Sequence, residues 1–407
     1  MATDQVVVIG GGPAGMMAAG TAGERGRSVL LVEKNKRLGR KLLITGKGRC
    51  NLTNITDIEG MIANIPVNGK FLYSAFHRFT NRDVINFFTE WGLPTKVERG
   101  GRVFPATDRS LDVLRAFEKF LAHARVRIKT GTVVAVLVEE GRVCGVKLAG
   151  GEIFPASRVI IATGGCSYPQ TGSTGDGYRL AAALGHTITP LKPALVPLEA
   201  ATEWVRAVQG LSLKNVAIKV LTADGETIYT DFGEMLFTHF GVSGPVVLSA
   251  STHLEPNTHY RLVIDLKPAL TLEQLDRRLQ RDFAAYARKV FHNALGDLLP
   301  RALIPVIVAL VEIPPDKPVN QITRAERERL GALLKGLEVE IVGLRPLAEA
   351  IVTAGGVAVK EINPATMESK LVKGLYFAGE VIDVNAYTGG FNLQIAFSTG
   401  YLAGSSC

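Results

Sequence analysis

Residues 5–20 read QVVVIGGGPAGMMAAG, and this stretch predicts a buried strand, a tight turn and the start of a helix. Its glycines stand at the G-x-G-x-x-G spacing that binds the pyrophosphate of a dinucleotide. Gly10 permits the turn, Gly12 lets a pyrophosphate approach the backbone, and Gly15 lets the helix pack close to the strand. Pro13 suits the first turn of the helix, whose N-terminus would face the phosphates.

A second apolar strand, residues 28–32 (SVLLV), ends on Glu33. An acid about 20 residues after the first glycine of the motif accepts hydrogen bonds from ribose hydroxyls. A carboxylate at this place repels a 2′-phosphate, so the pattern disfavours NADP and fits FAD or NAD. The alternative is an ordinary strand–turn–helix unit in which Glu33 is merely solvated. The motif and the acid on one βαβ unit favour the dinucleotide site.

The composition, 407 residues of which 47% are hydrophobic and 21% charged, is sufficient for two or three domains. We find no signal-peptide pattern and no apolar run of about 20 residues that could cross a bilayer. These features predict a soluble, cytoplasmic protein without a membrane partner. They leave the oligomeric state open.

The formal net charge is +8 and the sequence pI is about 9.3, values that also suit a nucleic-acid-binding protein. The densest basic stretch follows Glu33 and contains Lys34, Lys36, Arg37, Arg40 and Lys41. The other basic residues are interspersed with acids, and no aromatic residues alternate with them as an RNA platform requires. A small-molecule substrate is therefore expected and nucleic acid is disfavoured; part of the basic stretch can attract dinucleotide phosphates.

The four cysteines, Cys50, Cys144, Cys166 and Cys407, are widely separated and form no C-x-x-C motif. This spacing argues against a zinc site and against a redox disulfide between sequence neighbours. We therefore predict no metal. Cys50 and Cys166 lie in glycine-rich loops, where small buried thiols are the favoured interpretation.

The chain after Glu33 predicts a mixture of loops, helices and strands. Residues 38–54 (LGRKLLITGKGRCNLTN) are expected to form a long loop, and such loops are unusual unless functional. Apolar spacing predicts a helical region over residues 69–92 and a helix over 110–124. Strands are expected at residues 126–129, 133–138, 143–148 and 158–162.

The character of the sequence changes at residues 190–342, where prolines and strand–turn patterns predict a β-rich insertion. Capping boxes at Thr271 with Gln274 and at Thr323 with Glu326 predict two helices inside it. The run GVSGP at residues 241–245 is not a nucleophile elbow, because G-x-S-x-G needs glycine at 245. The predicted domains are residues 1–189 with 343–407, a β subdomain of 190–270 with 336–342, and a helical subdomain of 271–335.

The two ends of the chain share motifs that resemble a known superfamily. GGGPAG with Glu33, ATGG at 162–165, LYFAGE at 375–380 and GGFNLQ at 389–394 resemble the flavoproteins typified by glutathione reductase and fumarate reductase. TGKGRCNLTN, GGRVFPATD, LFTHFGVSGP and AGEVIDVNAYTGGFNLQIAFSTG resemble the BaiN and aminoacetone-oxidase type of bacterial FAD flavoprotein. These motifs cover most of the chain, the insertion included.

The resemblance implies an α/β fold. It implies a Rossmann-like FAD-binding domain, a parallel sheet plus a β-meander, assembled from both chain ends, with an inserted β-barrel-like subdomain and a small helical subdomain. It also implies FAD as the cofactor, with Glu380 on the ribitol and the helix N-terminus at Asn392 facing the pyrimidine carbonyl of the flavin. A helix N-terminus there would stabilise the negative charge of a reduced flavin.

The same resemblance implies a set of cofactor-binding residues, in which Val134 is as plausible as Val133 for the adenine. They are Gly10, Gly12, Pro13, Ala14, Gly15, Glu33, Lys34, Arg40, Lys41, Gly48, Arg49, Cys50, Asn51, Val133, Thr163, Gly164, Gly379, Glu380, Asp383, Gly390, Asn392 and Leu393.

The expected activity is that of an FAD-dependent oxidoreductase, with the substrate over the flavin between the FAD domain and the insertion. Candidates for proton handling or substrate binding are His239, Arg102, Tyr387 and Asp383. A structural histidine and an ordinary ion pair are the alternatives for His239 and Arg102.

Two functional classes stay open at this point. The first is oxidation or reduction of a small organic molecule such as an amine, a ketone or an enoyl compound. The second is an FAD-containing flavoprotein associated with tRNA, prompted by the basic charge. Family members are described as NAD(P)/FAD-dependent, but this chain has one dinucleotide fingerprint and no C-x-x-x-x-C redox pair. NAD(P)H therefore stays open only as a transient reductant.

Overall fold

The computed structural model describes residues 5–407, which divide into two compact units. The first unit comprises the chain up to Ala194 together with residues 347–407, and the second comprises Leu195–Pro346. Each unit has its own cluster of buried apolar side chains. The finer boundaries expected from the sequence, including a separate helical subdomain, stay predictions.

Over residues 5–407 the strands are, in chain order, β1 Gln5–Ile9, β2 Ser28–Glu33, β3 Thr53–Asn54, β4 Thr95–Glu98, β5 Arg102–Pro105, β6 Arg127–Thr130, β7 Val133–Glu139, β8 Arg142–Leu148, β9 Ile153–Pro155, β10 Arg158–Ile161, β11 Lys192–Ala194, β12 Leu198–Ala200, β13 Ser212–Leu221, β14 Thr227–Phe237, β15 Gly241–Ser243, β16 Tyr260–Asp265, β17 Leu337–Leu344, β18 Val352–Ala354 and β19 Leu375–Phe377.

The α-helices of the same residues are α1 Pro13–Glu24, α2 Arg40–Ile44, α3 Ile58–Ala63, α4 Tyr73–Arg78, α5 Asn81–Glu90, α6 Ser110–His123, α7 Asp176–Ala183, α8 Trp204–Ala207, α9 Pro245–Ser251, α10 Leu272–Ala285, α11 Ile304–Val311, α12 Arg324–Lys335 and α13 Phe391–Ser406. None of these helices is long and apolar enough to cross a membrane.

A parallel sheet forms the centre of the first unit, and its described strands stand in the order β19-β10-β1-β2-β6. β1 pairs with β2 and β10, and β19 pairs with β10, so strands from both chain ends share one sheet. The strands β19, β10, β1 and β2 are largely apolar because both faces of a parallel sheet are covered, whereas the edge strand β6 (RIKT) is mostly exposed. An antiparallel meander of β7, β8 and β9 belongs to the same unit. These features confirm the predicted α/β architecture.

The first and last helices of this unit pack at close range. A Cβ at Gly400 would lie 2.4 Å from the carbonyl oxygen of Ala14, and one at Gly404 would lie 2.4 Å from that of Ala18. A side chain at either glycine would push the helices apart. Because the two contacts advance together along both helices, α1 and α13 run in the same direction.

The second unit is built on a closed antiparallel barrel in the order β12-β15-β14-β13-β16-β17. Helices α10, α11 and α12 lie in sequence between β16 and β17. Thr271 and Thr323 cap α10 and α12 in the predicted capping boxes, with hydroxyls that accept from the amides of Gln274 and Glu326. The β-barrel-like insertion and its helices are thus confirmed.

One local prediction gains detail from the structure, and another needs correction. The helical region expected over residues 69–92 is divided, because α4 ends at Arg78 and α5 begins after Thr80. The hydroxyl of Thr80 accepts a hydrogen bond from the amide of Asp83 in a capping box that starts the second helix. The stretch 38–54, expected to be a loop, contains the short helix α2.

Candidate functional site

A cleft lies at the carboxyl edge of the parallel sheet in the first unit. It holds about 1330 Å³ of space free of protein atoms, including the part open to solvent. Ile9, Glu33, Ala162 and Ala378 line it, at or just after the ends of β1, β2, β10 and β19. Ligands of open α/β sheets bind at this edge.

Many of the predicted cofactor residues line this cleft. They are Gly10, Gly12, Pro13, Ala14, Glu33, Lys34, Arg40, Lys41, Val133, Thr163, Gly164, Glu380, Asn392 and Leu393.

The glycine-rich turn after β1 forms one wall of the cleft. Gly10 has a φ of +105°, and its amide donates to the carbonyl of Val32 at 2.9 Å. A Cβ at Gly15 would lie 1.8 Å from the carbonyl oxygen of Gly10, whereas a Cβ at Gly12 would have no neighbour within 4 Å. The turn therefore packs tightly on its inner side and leaves open space at Gly12, where α1 begins without a side-chain cap. An anion can approach the free amides of this helix end.

Glu33 is fixed beside the turn by hydrogen bonds from the backbone. Its Oε2 accepts from the amide of Gly11 at 2.7 Å, and its Oε1 accepts from the amide of Asn35 at 2.8 Å. The side-chain Nδ2 of Asn35 also donates to Oε1, at 2.6 Å. The carboxylate of Glu33 is thereby oriented within the lining of the cleft, where a ribose would meet an acceptor.

Lys41 and Glu380 form an ion pair in the same cleft. The Nζ of Lys41 lies 2.9 Å from Oε2 of Glu380 and donates to Oγ of Ser167 at 2.7 Å. The amide of Thr353 donates to the other carboxylate oxygen at 2.9 Å. Both charged side chains are largely buried, with 23% and 18% of their surfaces exposed.

The N-terminus of α13 forms another part of the cleft lining. Gly390 precedes the helix with a φ of +101°, and a Cβ there would lie 2.4 Å from the carbonyl oxygen of Thr53. The side chain of Asn392 accepts from the amide of Ala386 at 3.0 Å and donates to its carbonyl at 2.8 Å. These bonds hold the preceding turn, and no acid or side-chain cap covers the helix end.

A buried amide braces this helix start from beneath. Gln394 is fully buried, and its Oε1 accepts from the hydroxyl of Thr53 at 2.5 Å. Its Nε2 donates to the carbonyl of Phe79 at 3.1 Å and to Oγ of Ser398 at 2.8 Å. The helix N-terminus, the segment at Thr53 and the break between α4 and α5 are thus tied together.

The residues of the cleft fit a dinucleotide such as FAD. Open space and free amides lie at the start of α1, an oriented carboxylate follows β2, and a second uncapped helix end faces the cleft. The hydroxyl of Thr163, also in the lining, is buried without a hydrogen-bond partner among residues 5–407. Buried hydroxyls are normally hydrogen-bonded, so a bound ligand or water is the expected partner of this one.

Eight of the predicted cofactor residues are not part of the cleft lining: Gly15, Gly48, Arg49, Cys50, Asn51, Gly379, Asp383 and Gly390. Of these, Gly15 and Gly379 are closely packed, since a Cβ at Gly15 would meet the Gly10 carbonyl and one at Gly379 would meet the Ala14 side chain. Gly390 immediately precedes α13. Their roles in cofactor binding stay predictions.

Arg49 lies in a cluster of charges. Its guanidinium pairs with Glu98 and Asp108 and lies 4.2 Å from the centre of the Phe104 ring. Burial raises the pKa of the neighbouring Cys50 thiol, which suits the inert buried cysteine expected from the sequence. The side-chain oxygen of Asn51 is buried without a partner among the residues that the structure describes.

The candidate catalytic residues have different surroundings. His239 belongs to the second unit, is exposed and contacts the ring of Phe240 edge-on. Arg102 is exposed at the end of a hairpin in the first unit, where its Nε donates to the carbonyl of Arg99 at 3.1 Å. Tyr387 is half-buried, and its amide donates to the carbonyl of Asn64 at 3.0 Å.

Asp383 is half-buried in the first unit, next to Val384 of the cleft lining. Its Oδ2 lies 3.2 Å from the amide nitrogen of the Asn68 side chain. Burial raises the pKa of the Asp383 carboxyl, and the hydrogen bonds from Thr189 and Asn68 oppose that rise.

The sequence did not indicate one part of the cleft. Nζ of Lys34 contacts Oδ2 of Asp176 at 2.5 Å and Oγ1 of Thr174 at 2.6 Å, and Nδ2 of Asn35 donates to the carbonyl of Thr171 at 3.2 Å. The segment 171–176 therefore meets the residues after Glu33 across the cleft. The sequence of this segment, TGSTGD, contains no motif that relates it to Lys34.

The fold and the cleft define a Rossmann-type dinucleotide-binding protein. The chain belongs to a family within this class: the HI0933-like protein Rossmann domain matches residues 4–406. This match confirms the FAD-flavoprotein family that the sequence motifs resemble, and with it the prediction of an FAD-dependent oxidoreductase.

Two relatives match along nearly their whole length. The chain is 33% identical over 410 residues to 3-dehydro-bile acid delta(4,6)-reductase of Clostridium scindens, covering 98% of each chain. It is 32% identical over 398 residues to ribosomal RNA dihydrouridine synthase of Escherichia coli, covering 97% of this chain and 96% of the other.

Among solved structures, the fold is similar to that of 3-ketosteroid delta1-dehydrogenase from Sterolibacterium denitrificans. The TM-score is 0.54 at 13% identity, and the match covers 99% of each chain. At this identity the similarity concerns the fold alone.

Proposed function

We propose that this protein is an FAD-dependent reductase that adds a hydride and a proton across a carbon–carbon double bond conjugated to a carbonyl group. The observation that carries the proposal is the cleft, whose two uncapped helix N-termini and oriented Glu33 suit a bound FAD. When bound, FAD supplies the hydride, and the chain supplies position, charge and shielding from water.

The names of the two full-length relatives support the bond type. One names a reductase of delta(4,6) bonds in a 3-dehydro bile acid, in which the double bonds are conjugated to a ketone. The other names a dihydrouridine synthase, and dihydrouridine is uridine whose ring double bond, conjugated to a carbonyl, has been saturated. Both reactions reduce an activated double bond.

The residues of the cleft take distinct parts in this proposal. The amides at the start of α1 would hold the phosphates of FAD, and Glu33 would accept a hydrogen bond from its ribose. Lys41 and Glu380 would orient the ribityl chain of the cofactor. The amides at Asn392 and Leu393 stabilise negative charge at the flavin end.

We propose Asp383 as the proton donor; it lies outside the cleft lining and directly precedes Val384, which is part of that lining. A carboxyl with a raised pKa keeps its proton closer to neutral pH and can deliver it to the carbon next to the carbonyl. Asn68 holds the carboxyl in place.

A free enone is the first candidate substrate, since the cleft lies in a single unit and suits a small molecule. A uracil ring in ribosomal RNA is the second, and the distribution of charge favours it. Residues 195–346 contain 17 Lys and Arg against 18 Asp and Glu, so the whole basic surplus belongs to the first unit, which carries the cleft.

The test is single-turnover reoxidation. The purified flavoprotein is photoreduced without oxygen and mixed with a 3-oxo-4-ene steroid, its saturated analogue or a ribosomal RNA transcript, while the flavin absorption is followed. We expect reoxidation by the unsaturated steroid or by the RNA, with two hydrogens gained in the product, and none by the saturated analogue. Reoxidation by oxygen but by neither unsaturated compound would contradict the proposal.

The source of electrons is tested separately, by mixing the oxidised protein with NADH or NADPH in the dark. Bleaching by one of them within seconds identifies NAD(P)H as the transient reductant. A protein that is reduced by light and by neither nucleotide requires another electron carrier.

A further inference from the structure

The hairpin of β4 and β5 presents two arginines at its tip. Arg99 and Arg102 flank the tip glycines, and both side chains are exposed. The Nε of Arg102 donates to the carbonyl of Arg99 at 3.1 Å, which turns the side chain back over the tip. Arg102 remains exposed in this conformation.

The charge of this tip is not neutralised by the chain. Among residues 5–407 no acidic side chain pairs with Arg99 or Arg102. The neighbouring acids, Glu98 and Asp108, are engaged by Arg49 and Lys96, two anions against two cations. The two arginines therefore keep an uncompensated charge of two.

The tip is joined to the start of α13, which lines the cleft. Nδ2 of Asn54 donates to the carbonyl of Gly100 at 2.9 Å and to that of Gly389 at 3.3 Å. The amide of Ile55 donates to the carbonyl of Gly101 at 2.8 Å. One side chain thus bridges the arginine tip and the turn three residues before Asn392.

An aromatic ring lies near one of the two arginines, Arg102. The guanidinium carbon of Arg102 lies 5.7 Å from the centre of the Phe104 ring, and Phe104 is buried. The planar guanidinium fork of arginine matches the oxygens of a carboxylate or phosphate.

We propose that Arg99 and Arg102 form an anion-binding subsite that holds an oxyanion of the substrate, a carboxylate or a phosphate, while its double bond lies in the cleft. The inference rests on the proposed function, because it assigns a substrate class to the same cleft. A substrate that carries an oxyanion at a distance from its double bond is therefore preferred over an uncharged one.

Binding to the oxidised flavoprotein tests this subsite without turnover. The probes are a fluorescent single-stranded oligouridine, a 3-oxo-4-ene steroid with a carboxylate side chain, and the methyl ester of that steroid. The variants are Arg99→Ala, Arg102→Ala and the double variant. Arg142→Ala is the matched control, because Arg142 is an exposed arginine of the same unit, at the start of β8.

We expect the double variant to bind the charged probe at least tenfold more weakly and Arg142→Ala to bind it as the wild type does. If the oligouridine is the affected probe, the dependence of its binding on salt should also fall, by about one unit of log–log slope for each lost phosphate contact. If the carboxylate is affected and its ester is not, the oxyanion comes from a small acid. Both results support the subsite and identify its source.

Equal affinities in the wild type and the double variant for every probe, or binding of no probe, would overturn the subsite. This outcome is distinct from failure of the proposed function, which shows as a flavin that is not reoxidised by unsaturated compounds. The flavin spectrum and the thermal midpoint of each variant check that the fold is intact.

Discussion

Lys41 and Glu380 stand 339 residues apart in the chain, and their side chains form an ion pair of 2.9 Å in the lining of one cleft. Lys41 belongs to the short helix after the ribose-side acid, and Glu380 follows the last strand of the sheet. The two partners come from the N-terminal and C-terminal parts of the chain, so both parts contribute to the cofactor cleft.

Lys41→Met should weaken FAD binding about tenfold. The variant leaves the largely buried carboxylate of Glu380 without its cation, and hydrogen bonds to charged groups contribute about 1.5–3 kcal/mol. Fluorescence titration of apo-protein with FAD measures the change. Lys36→Met, at an exposed neighbour, removes the same charge and should leave the affinity within twofold. Equal FAD affinities for the two variants would show that the ion pair does not contribute to FAD binding.

Gly12→Ala should lower the affinity for FAD, whereas Gly15→Ala should lower the thermal stability of the protein. A Cβ at Gly12 has free space, so that variant should fold with an unchanged midpoint as apo-protein but lose FAD affinity at least tenfold. A Cβ at Gly15 would lie 1.8 Å from the Gly10 carbonyl, so that variant should unfold at lower temperature even without FAD. Thermal unfolding of the apo-proteins measures the midpoints. A Gly15→Ala midpoint equal to that of the wild type would contradict the close packing of Gly15 on Gly10.

Local sequence was sufficient to predict the glycine-rich turn between β1 and α1. The spacing of its glycines and their distance from Glu33 are both properties of one βαβ unit. The assembly of the sheet from both chain ends was predicted only through the resemblance of the C-terminal motifs to a known family, and the pairing of β19 with β10 was not predicted. The contact of Lys34 with Asp176 was missed, because it depends on the path of a loop 142 residues away. The break between α4 and α5 was missed for a different reason: the apolar spacing continues across Thr80, and the capping box was not recognised.

Arg49 shows a second limit of sequence reasoning. The motif TGKGRCN places an arginine in a glycine-rich stretch, and nothing in the motif indicates that Glu98 and Asp108 would engage it. Both acids lie more than forty residues further along the chain and reach Arg49 through the hairpin of β4 and β5. Ion pairs between residues distant in sequence depend on the tertiary fold, so a local motif does not identify the partners.

Gln394→Leu should lower the free energy of unfolding by about 3 kcal/mol. The variant leaves the hydroxyl of Thr53 and the carbonyl of Phe79 with fewer partners in the core, and each unsatisfied buried group costs about 1–3 kcal/mol. Urea denaturation of the apo-protein measures the difference. Gln209→Leu, at an exposed glutamine, should change it by less than about 0.5 kcal/mol. A loss below about 1 kcal/mol for Gln394→Leu would mean that the network adds little stability.

His186 should make the first unit less stable in weak acid. Its ring is buried, with Nδ1 3.2 Å from Glu361 and Nε2 2.9 Å from Oγ of Ser369. Burial lowers the pKa of His186, and Glu361 opposes that effect. The folded state therefore binds fewer protons than the unfolded state, whose histidines titrate near pH ~6.5. The stabilisation is complete above that pH and is lost as the pH falls below it.

The measurement is the free energy of unfolding between about pH 7.5 and 5.5, the range around the ordinary histidine pKa. His186→Gln, which retains hydrogen bonding and cannot be protonated there, should flatten the decline. His77→Gln, at an exposed histidine of the same unit, should leave it unchanged. An identical decline in the wild type and in His186→Gln would exclude this residue as its cause.

The central claim is that the first and last segments of the chain bind one FAD molecule together. The most direct measurement is a crystal structure of the oxidised protein grown with FAD. We predict phosphate density at the amides that follow Gly12 and flavin density against the start of α13 at Asn392, within one continuous ligand. FAD bound elsewhere, or bound to only one of these helix ends, would contradict the account.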